Sequence, residues 1–264
     1  MKNKPVIAVV DDFFDEMLFS RLLKSFKSFK WDDNYSQKGV RKSIVFKKNN
    51  YIINEKINPC IGQIKEFIFC KKNILFYFSK LNLNCAEISK DKIDSVIKRI
   101  DINQTEMGLS SSLIEKIISK YIRNNLYKIK NFKTISRYIR RLLFGDKYKI
   151  TFSLNYTNGS YNEAPHLDQR NKVLVGLIYL DDAVSDNFSN LTFWQNNSPN
   201  LKCDNSFYIK DGNLTKFKDI QQKKNRLVLF KNDDNAIHSA KGNTSGKRRF
   251  IYFSIVSARQ INLY

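Results

Sequence analysis

Residues 148–180 read YKITFSLNYTNGSYNEAPHLDQRNKVLVGLIYL, and 225–256 read NRLVLFKNDDNAIHSAKGNTSGKRRFIYFSIV. Both are short runs of β-branched, aromatic and aliphatic residues broken at close intervals by Asn, Asp, Gly and Ser. That texture predicts strands rather than helices. From Tyr148 onward the strand candidates are 149–156, 172–180, 190–195, 206–209, 225–230, 236–239 and 249–256. Several short strands with turn residues between them point to a β-sandwich or barrel over 148–264.

The first half has a different character. Val6 to Val10 predicts a short strand, and Asp11 or Asp12 then caps a helix starting near Phe13, with Leu18, Leu22, Leu23 and Phe26 on one face. Further helices are predicted from Ile61 to Leu81, from Lys90 to Ile100, and after Ser110–Ser112, where Leu113, Ile117, Tyr121 and Ile122 recur at helical spacing. The fold class expected is therefore α+β. A mostly helical region over 1–147 supports a β core over 148–264, and the two form one compact unit.

The chain's two histidines both fall in the β half. His166 stands in Pro165-His166-Leu167-Asp168. Residues i and i+2 of a strand share a face, so His166 and Asp168 project together into the interior. His238, after the strand 225–230, offers a third ligand from an opposing strand. Two imidazoles and a carboxylate, with no thiolate, suit iron(II) and leave coordination positions open for a bidentate 2-oxo acid and dioxygen. Taken singly, a histidine is more often a core or surface residue than a ligand; the neighbours carry the argument. Arg248 opens the last strand and offers a planar fork to a carboxylate. Its neighbour Arg249 faces the other way. Strand phase favours Arg248, because it leaves Ile251, Phe253 and Ile255 on the opposite, core-packing face. Tyr156, upstream of His166, offers a hydroxyl to a second carboxylate or carbonyl.

These residues carry a resemblance. The stretches YKITFSLNYTNGSYNEAPHLD, KVLVGLIYLDD, NRLVLFKNDDNAIHSAKGN and KRRFIYFSIVS are similar to the 2-oxoglutarate/Fe(II)-dependent dioxygenase superfamily, in particular its prolyl 4-hydroxylase-like branch. That family's pattern is His-x-Asp, a distal His, and then an Arg or Lys, and all three parts occur here in order. The resemblance implies a double-stranded β-helix (jelly-roll) core. It implies His166, Asp168 and His238 as iron ligands, Arg248 as the anchor of 2-oxoglutarate, and Tyr156 as a contact to that cosubstrate. It implies O2 as the oxidant, ascorbate as a reductant, and release of succinate and CO2. Because related halogenases lack a carboxylate at the position of Asp168, its presence here implies hydroxylation. The N-terminal KPVIAVVDDFFDEMLFSRLLKSF looks like the family's usual opening, a strand and then a helix. Asn190-Leu191 stands where many relatives have a glycine-rich entry to a strand.

The substrate class is left open between a prolyl or other peptide side chain, a free amino acid and a small metabolite. A net charge of +21 attracts anions, although Lys, Asn and Ile are abundant along the whole chain. Residues 116–149 interleave Lys and Arg with Tyr121, Tyr127, Phe132 and Tyr138. Such a stretch can follow a phosphate backbone and stack bases, so a nucleic-acid demethylase is the less favoured alternative. A jelly-roll binding module without catalysis is the other. No run approaches the roughly 18–20 apolar residues of a membrane span, and the N-terminus does not read as a secretory signal. Cys60, Cys70, Cys85 and Cys203 form no Cys-x-x-Cys pair, which suggests reduced thiols in a cytoplasmic protein.

Overall fold

Period-two burial in the β half builds two sheets that share one hydrophobic interior. The computed structural model describes residues 4–26, 41–45, 59–83, 100–105, 148–158, 162–168, 172–183, 190–197, 202–203, 208–211, 213–241 and 247–257. Its elements are β1 (Ile7–Val10), α1 (Glu16–Phe26), β2 (Arg41–Val45), α2 (Pro59–Phe69), α3 (Lys71–Lys80), β3 (Ile100–Thr105), β4 (Tyr148–Asn158), β5 (Asn162–His166), β6 (Lys172–Tyr179), β7 (Asn190–Asn196), β8 (Lys202–Cys203), β9 (Ile209–Asp211), β10 (Leu214–Gln221), β11 (Leu227–Lys231), β12 (His238–Lys241) and β13 (Lys247–Ser257).

The larger sheet runs β1-β11-β6-β13-β4-β2, with β3 pairing β4. Only the β3–β4 pair is parallel among the described strands. The smaller sheet runs β10-β7-β12-β5, and β8 and β9 form a separate hairpin. From β4 to β7, and again from β10 to β13, the chain passes between the two sheets with each successive strand.

One face of the larger sheet carries the helices. Leu22 and Phe26 of α1, Ile64 and Ile68 of α2 and Ile74 and Phe78 of α3 pack with Ile150, Phe152, Leu154, Ile251, Phe253 and Ile255. The other face meets the smaller sheet through Val175, Leu177, Tyr179, Val228, Phe230 and Phe250 against Leu191, Phe193 and Ile220. β1 is an edge strand of the larger sheet, antiparallel to β11. The N-terminal segment thus belongs to the same core as the β half.

Two local features set this packing. The Phe253 ring lies over Gly176, its register partner on β6. A Cβ at 176 would stand 2.1 Å from the ring's Cζ, so only glycine leaves room for the ring there. Asn225 takes a left-handed backbone, φ 59°. Its side chain accepts from the Phe14 N–H at 2.9 Å and donates to the Phe14 carbonyl at 2.8 Å, tying the β1–α1 connection to the turn before β11.

The single helix expected over 61–81 is two helices. Cys70 is extended (φ −63°, ψ 154°) and separates α2 from α3. The helix expected over 90–100 lies outside the described residues except for Ile100, which opens β3. The region after Ser110 and the basic–aromatic stretch 116–149 also lie outside them, except Tyr148 and Lys149 of β4. Among the described residues no helix is long and apolar enough to cross a membrane. Cys60 and Cys70 are thiols.

Candidate active site

β5 and β12 lie side by side in the smaller sheet, and His166 and His238 are register partners. Their ring centroids are 4.3 Å apart. His166 Nδ1 bonds to the Ala164 carbonyl at 2.9 Å, and His238 Nδ1 to the Ala236 carbonyl at 2.8 Å. A carbonyl only accepts, so each Nδ1 carries the proton and each Nε2 keeps its lone pair. Phe193 and Phe230 wall in the His238 ring, with centroids at 5.9 and 4.9 Å. Burial, and then the neighbouring His166, lower the His238 pKa to about 4. It is therefore neutral at physiological pH, the form a metal ligand needs.

Asp168 follows the end of β5. Its Oδ1 is bound by the Lys172 ammonium at the start of β6. Its Oδ2 is buried, makes no hydrogen bond, and stands 3.9 Å from His238 Nε2. Burial alone would raise the Asp168 pKa, but Lys172, His238 and His166 outweigh it and the carboxyl is held below its ordinary value. Lys172 shows the reverse balance: burial disfavours its charge, yet Asp168 and Tyr252 hold its pKa above the ordinary lysine value. The Lys172 Nζ also stands 5.1 Å from the centroid of the Tyr252 ring.

Arg248 is 2% exposed and points into the space between the sheets. Its Nη2 donates to the Tyr179 hydroxyl at 3.1 Å. Its Nε and Nη1 have no hydrogen-bond partner. The guanidinium sits over the Tyr179 and Phe250 rings, at 5.2 and 5.1 Å. A buried guanidinium with two donors unused is costly unless an anion takes them. Arg249 is differently placed. Its Nε and backbone N–H reach Asp181 at 3.0 Å, and its guanidinium lies over Phe26 on the helix side. Asp181 occupies Arg249, so Arg248 is the one of the pair with open donors.

The structure brings His166, Asp168 and His238 together and sets Arg248 in the same inter-sheet space. Tyr156 is not brought there. It pairs in register with Arg249, and Thr157 pairs with Arg248, so the Tyr156 ring shares the helix-bearing face with Arg249. The tyrosine hydroxyl beside Arg248 is that of Tyr179. Ser153, Asn155 and Thr157 of β4 are buried and share the inner face with Arg248, giving that face a polar row. Lys172 and Glu163 were not legible as site residues either. A bulge in the β5–β12 pairing turns Glu163 to the His166 face, where its Oε1 is 3.7 Å from His166 Nε2. Tyr208 bridges to His166, its ring tilted against the imidazole at 5.5 Å.

The donor set fits a divalent cation in three respects. Both imidazoles present a lone pair at Nε2, Asp168 has an oxygen without a partner, and the three donors are all nitrogen or oxygen. As arranged, no three His, Cys, Asp or Glu side chains among the described residues form a closed ligand group.

No family model matches this chain, and no curated protein matches it. Prolyl hydroxylases and 2OG-Fe(II) oxygenases resemble this chain. A prolyl hydroxylase from Trichoplax adhaerens, in complex with a hypoxia-inducible-factor peptide fragment, is 11% identical, with 95% of this chain and 83% of that one covered at a TM-score of 0.46. HygX from Streptomyces hygroscopicus, with nickel and 2-oxoglutarate bound, is 8% identical, with coverages of 96% and 83% and a TM-score of 0.45. An oxidoreductase of the 2OG-Fe(II) oxygenase family from Burkholderia pseudomallei is 8% identical, with coverages of 95% and 84% and a TM-score of 0.48.

Proposed function

We propose that this chain is an Fe(II)- and 2-oxoglutarate-dependent dioxygenase that hydroxylates an unactivated C–H bond of a peptide side chain, a free amino acid or a small metabolite. The observation that carries the reading is Arg248. A buried guanidinium with Nε and Nη1 unpartnered shares an interior with two imidazoles whose Nε2 atoms are available and a carboxylate with one free oxygen. An anion receptor and a two-His-one-carboxylate metal set between the same two sheets are what a dicarboxylate cosubstrate chelated at iron requires.

On this reading His166, Asp168 and His238 hold the metal, through Nε2, Oδ2 and Nε2. Arg248 and the Tyr179 hydroxyl bind the distal carboxylate of 2-oxoglutarate. The Ala164 and Ala236 carbonyls fix the imidazole tautomers, an outer-shell role that orients metal ligands. Phe193 and Phe230 keep water from the His238 side. When bound, iron(II) with 2-oxoglutarate and O2 supplies the oxidising power, converting C–H to C–OH with release of succinate and CO2. The alternation of strands between two facing sheets supports a double-stranded β-helix over 148–264, with 1–147 as its supporting region.

The test is anaerobic addition of Fe(II) and 2-oxoglutarate to metal-stripped protein, read by the weak visible charge-transfer band of a 2-oxo acid chelated at iron. The band is expected in the wild type and absent in His166→Ala and His238→Ala. A wild type that binds neither iron nor 2-oxoglutarate removes the enzyme reading and leaves a β-sandwich binding module.

A further inference from the structure

Lys172 is the group in this interior that metal ligation and cosubstrate binding leave without a task. Its ammonium holds Asp168 Oδ1, lies against the Tyr252 ring, and is fixed at the backbone by the Asn232 side-chain amide, which donates to the Lys172 carbonyl at 3.1 Å. A lysine taken out of water to this depth needs an anion beside it. Among the described residues, the anion it contacts is the Asp168 carboxylate, whose other oxygen is buried and makes no hydrogen bond. The same contact therefore divides Asp168 into a used oxygen and an available one.

We infer that Lys172 is the positioning residue of Asp168: it holds Oδ1, so that the carboxylate presents Oδ2 alone to a cation, and it supplies the balancing positive charge when no cation is bound. This rests on the proposed metal set. Two consequences follow from the charges. Without a divalent cation, Lys172 is what makes a buried Asp168 carboxylate tolerable beside the two imidazoles. With one bound, the cation takes over most of that balancing, and the ammonium becomes less important to stability. Lys172 and the cation are therefore linked through Asp168, and the loss of one is partly made good by the other.

The test compares thermal midpoints of wild type, Lys172→Met and Lys172→Arg, in chelator and with saturating Ni(II), a redox-inert probe. In chelator, Lys172→Met is expected to melt about 5–10 °C below wild type, the scale for breaking a buried ion pair in a chain of this size. Ni(II) is expected to raise the midpoint of Lys172→Met by several degrees more than that of wild type. Lys172→Arg, which keeps the charge, is expected to recover most of the loss in chelator. In an Asp168→Asn background the Met substitution is expected to have no such metal-dependent effect. Equal loss in chelator and in Ni(II) overturns the inference, since a purely structural lysine behaves that way. So does a Lys172→Met protein that matches wild type in chelator, or one that folds in neither condition. A Lys172→Met protein that folds only with Ni(II) supports it in its strongest form. If Ni(II) fails to shift the wild type, the metal set itself is wrong, a result separable from all of these.

Discussion

His166 and His238 are register partners on adjacent antiparallel strands, each with its Nδ1 proton on the carbonyl two residues before it. Pairing in the sheet thus does for the two imidazoles what a metal site needs done: it fixes ring, tautomer and separation together. It also brings an acid sensitivity. His238 is held near pKa 4 by burial and by His166, whereas an unfolded histidine titrates near 6.5. Below about 6.5 the unfolded chain takes up a proton that the folded site refuses. The stabilisation from this site is then complete above pH 6.5 and falls away as pH drops towards 4. Denaturant unfolding in chelator is expected to show wild type losing ~3 kcal/mol over that window beyond what His238→Gln loses. Parallel pH profiles for the two proteins would show that His238 is not buried as a neutral base.

Arg248 and Arg249 are adjacent in sequence but differ in what they serve. Arg248→Met is expected to weaken 2-oxoglutarate binding by ~30-fold or more, the scale for a charge-assisted pair to a carboxylate, while leaving Ni(II) binding intact. Arg249→Met is expected to keep 2-oxoglutarate affinity within about threefold and to cost ~1 kcal/mol of stability, because its ion pair with Asp181 is partly open to solvent. Calorimetric titration of 2-oxoglutarate into the Ni(II)-loaded proteins separates them. Equal losses in both variants would mean that the anion site is not at Arg248.

How far the sequence reaches is visible in β4. Ile150, Phe152, Leu154 and Tyr156 alternate with Thr151, Ser153, Asn155 and Thr157, and Ile150, Phe152 and Leu154 pack on the helices. That alternation already assigns Tyr156 to the helix face, whereas nearness in sequence to His166 suggested the site. Tyr179 was hidden for the opposite reason. β6 is buried on both faces, so its phase cannot be read from hydrophobicity. β10 has no readable alternation, because Leu214 to Gln221 buries only Ile220; the strand expected to carry both His166 and Asp168 ends at His166, and Asn-Glu-Ala-Pro-His, with little strand propensity of its own, is held by its partner β12. The strands at 148–158, 172–179 and 190–196 were legible, since their own residues are strand formers. Lys172 could not be singled out from the many lysines of this chain before the fold set it against Asp168.

Gly176 makes room for a ring on the helix-bearing face of the larger sheet. Its partner Phe253 is wholly buried and stacks on Phe69 at 5.6 Å and Tyr77 at 5.5 Å, edge-on to the first and tilted against the second. A methyl group at 176 drives that ring into α2 and α3 rather than into open space. Gly176→Ala is expected to cost ~2–3 kcal/mol, the range for overpacking a filled core. Phe253→Leu in the same chain, which frees the ring's volume, is expected to recover part of the loss. Denaturant midpoints of the single and double variants check this; strict additivity would mean that the ring is not what the methyl group meets.

Asn225 offers the last test, because it links stability to the site. Its side chain bonds both to the Phe14 N–H and to the Phe14 carbonyl, and its own N–H donates to the Tyr179 carbonyl at 2.9 Å. The positive φ suits Asn better than most residues. Asn225→Ala removes both side-chain bonds, leaves the buried Phe14 groups unpaired and adds left-handed strain, an expected cost of ~2–4 kcal/mol. Asn225→Gly keeps the backbone relaxed and loses only the bonds, so it is expected to be less destabilised than Ala by ~1 kcal/mol. Both variants keep the Asn225 N–H but loosen the turn that carries it to the Tyr179 carbonyl, and Tyr179 receives Arg248, so both are expected to weaken 2-oxoglutarate binding severalfold with Ni(II) binding unchanged. An Asn225→Ala protein with lowered stability but wild-type 2-oxoglutarate affinity would show that the Tyr179 hydroxyl is held by β6 alone.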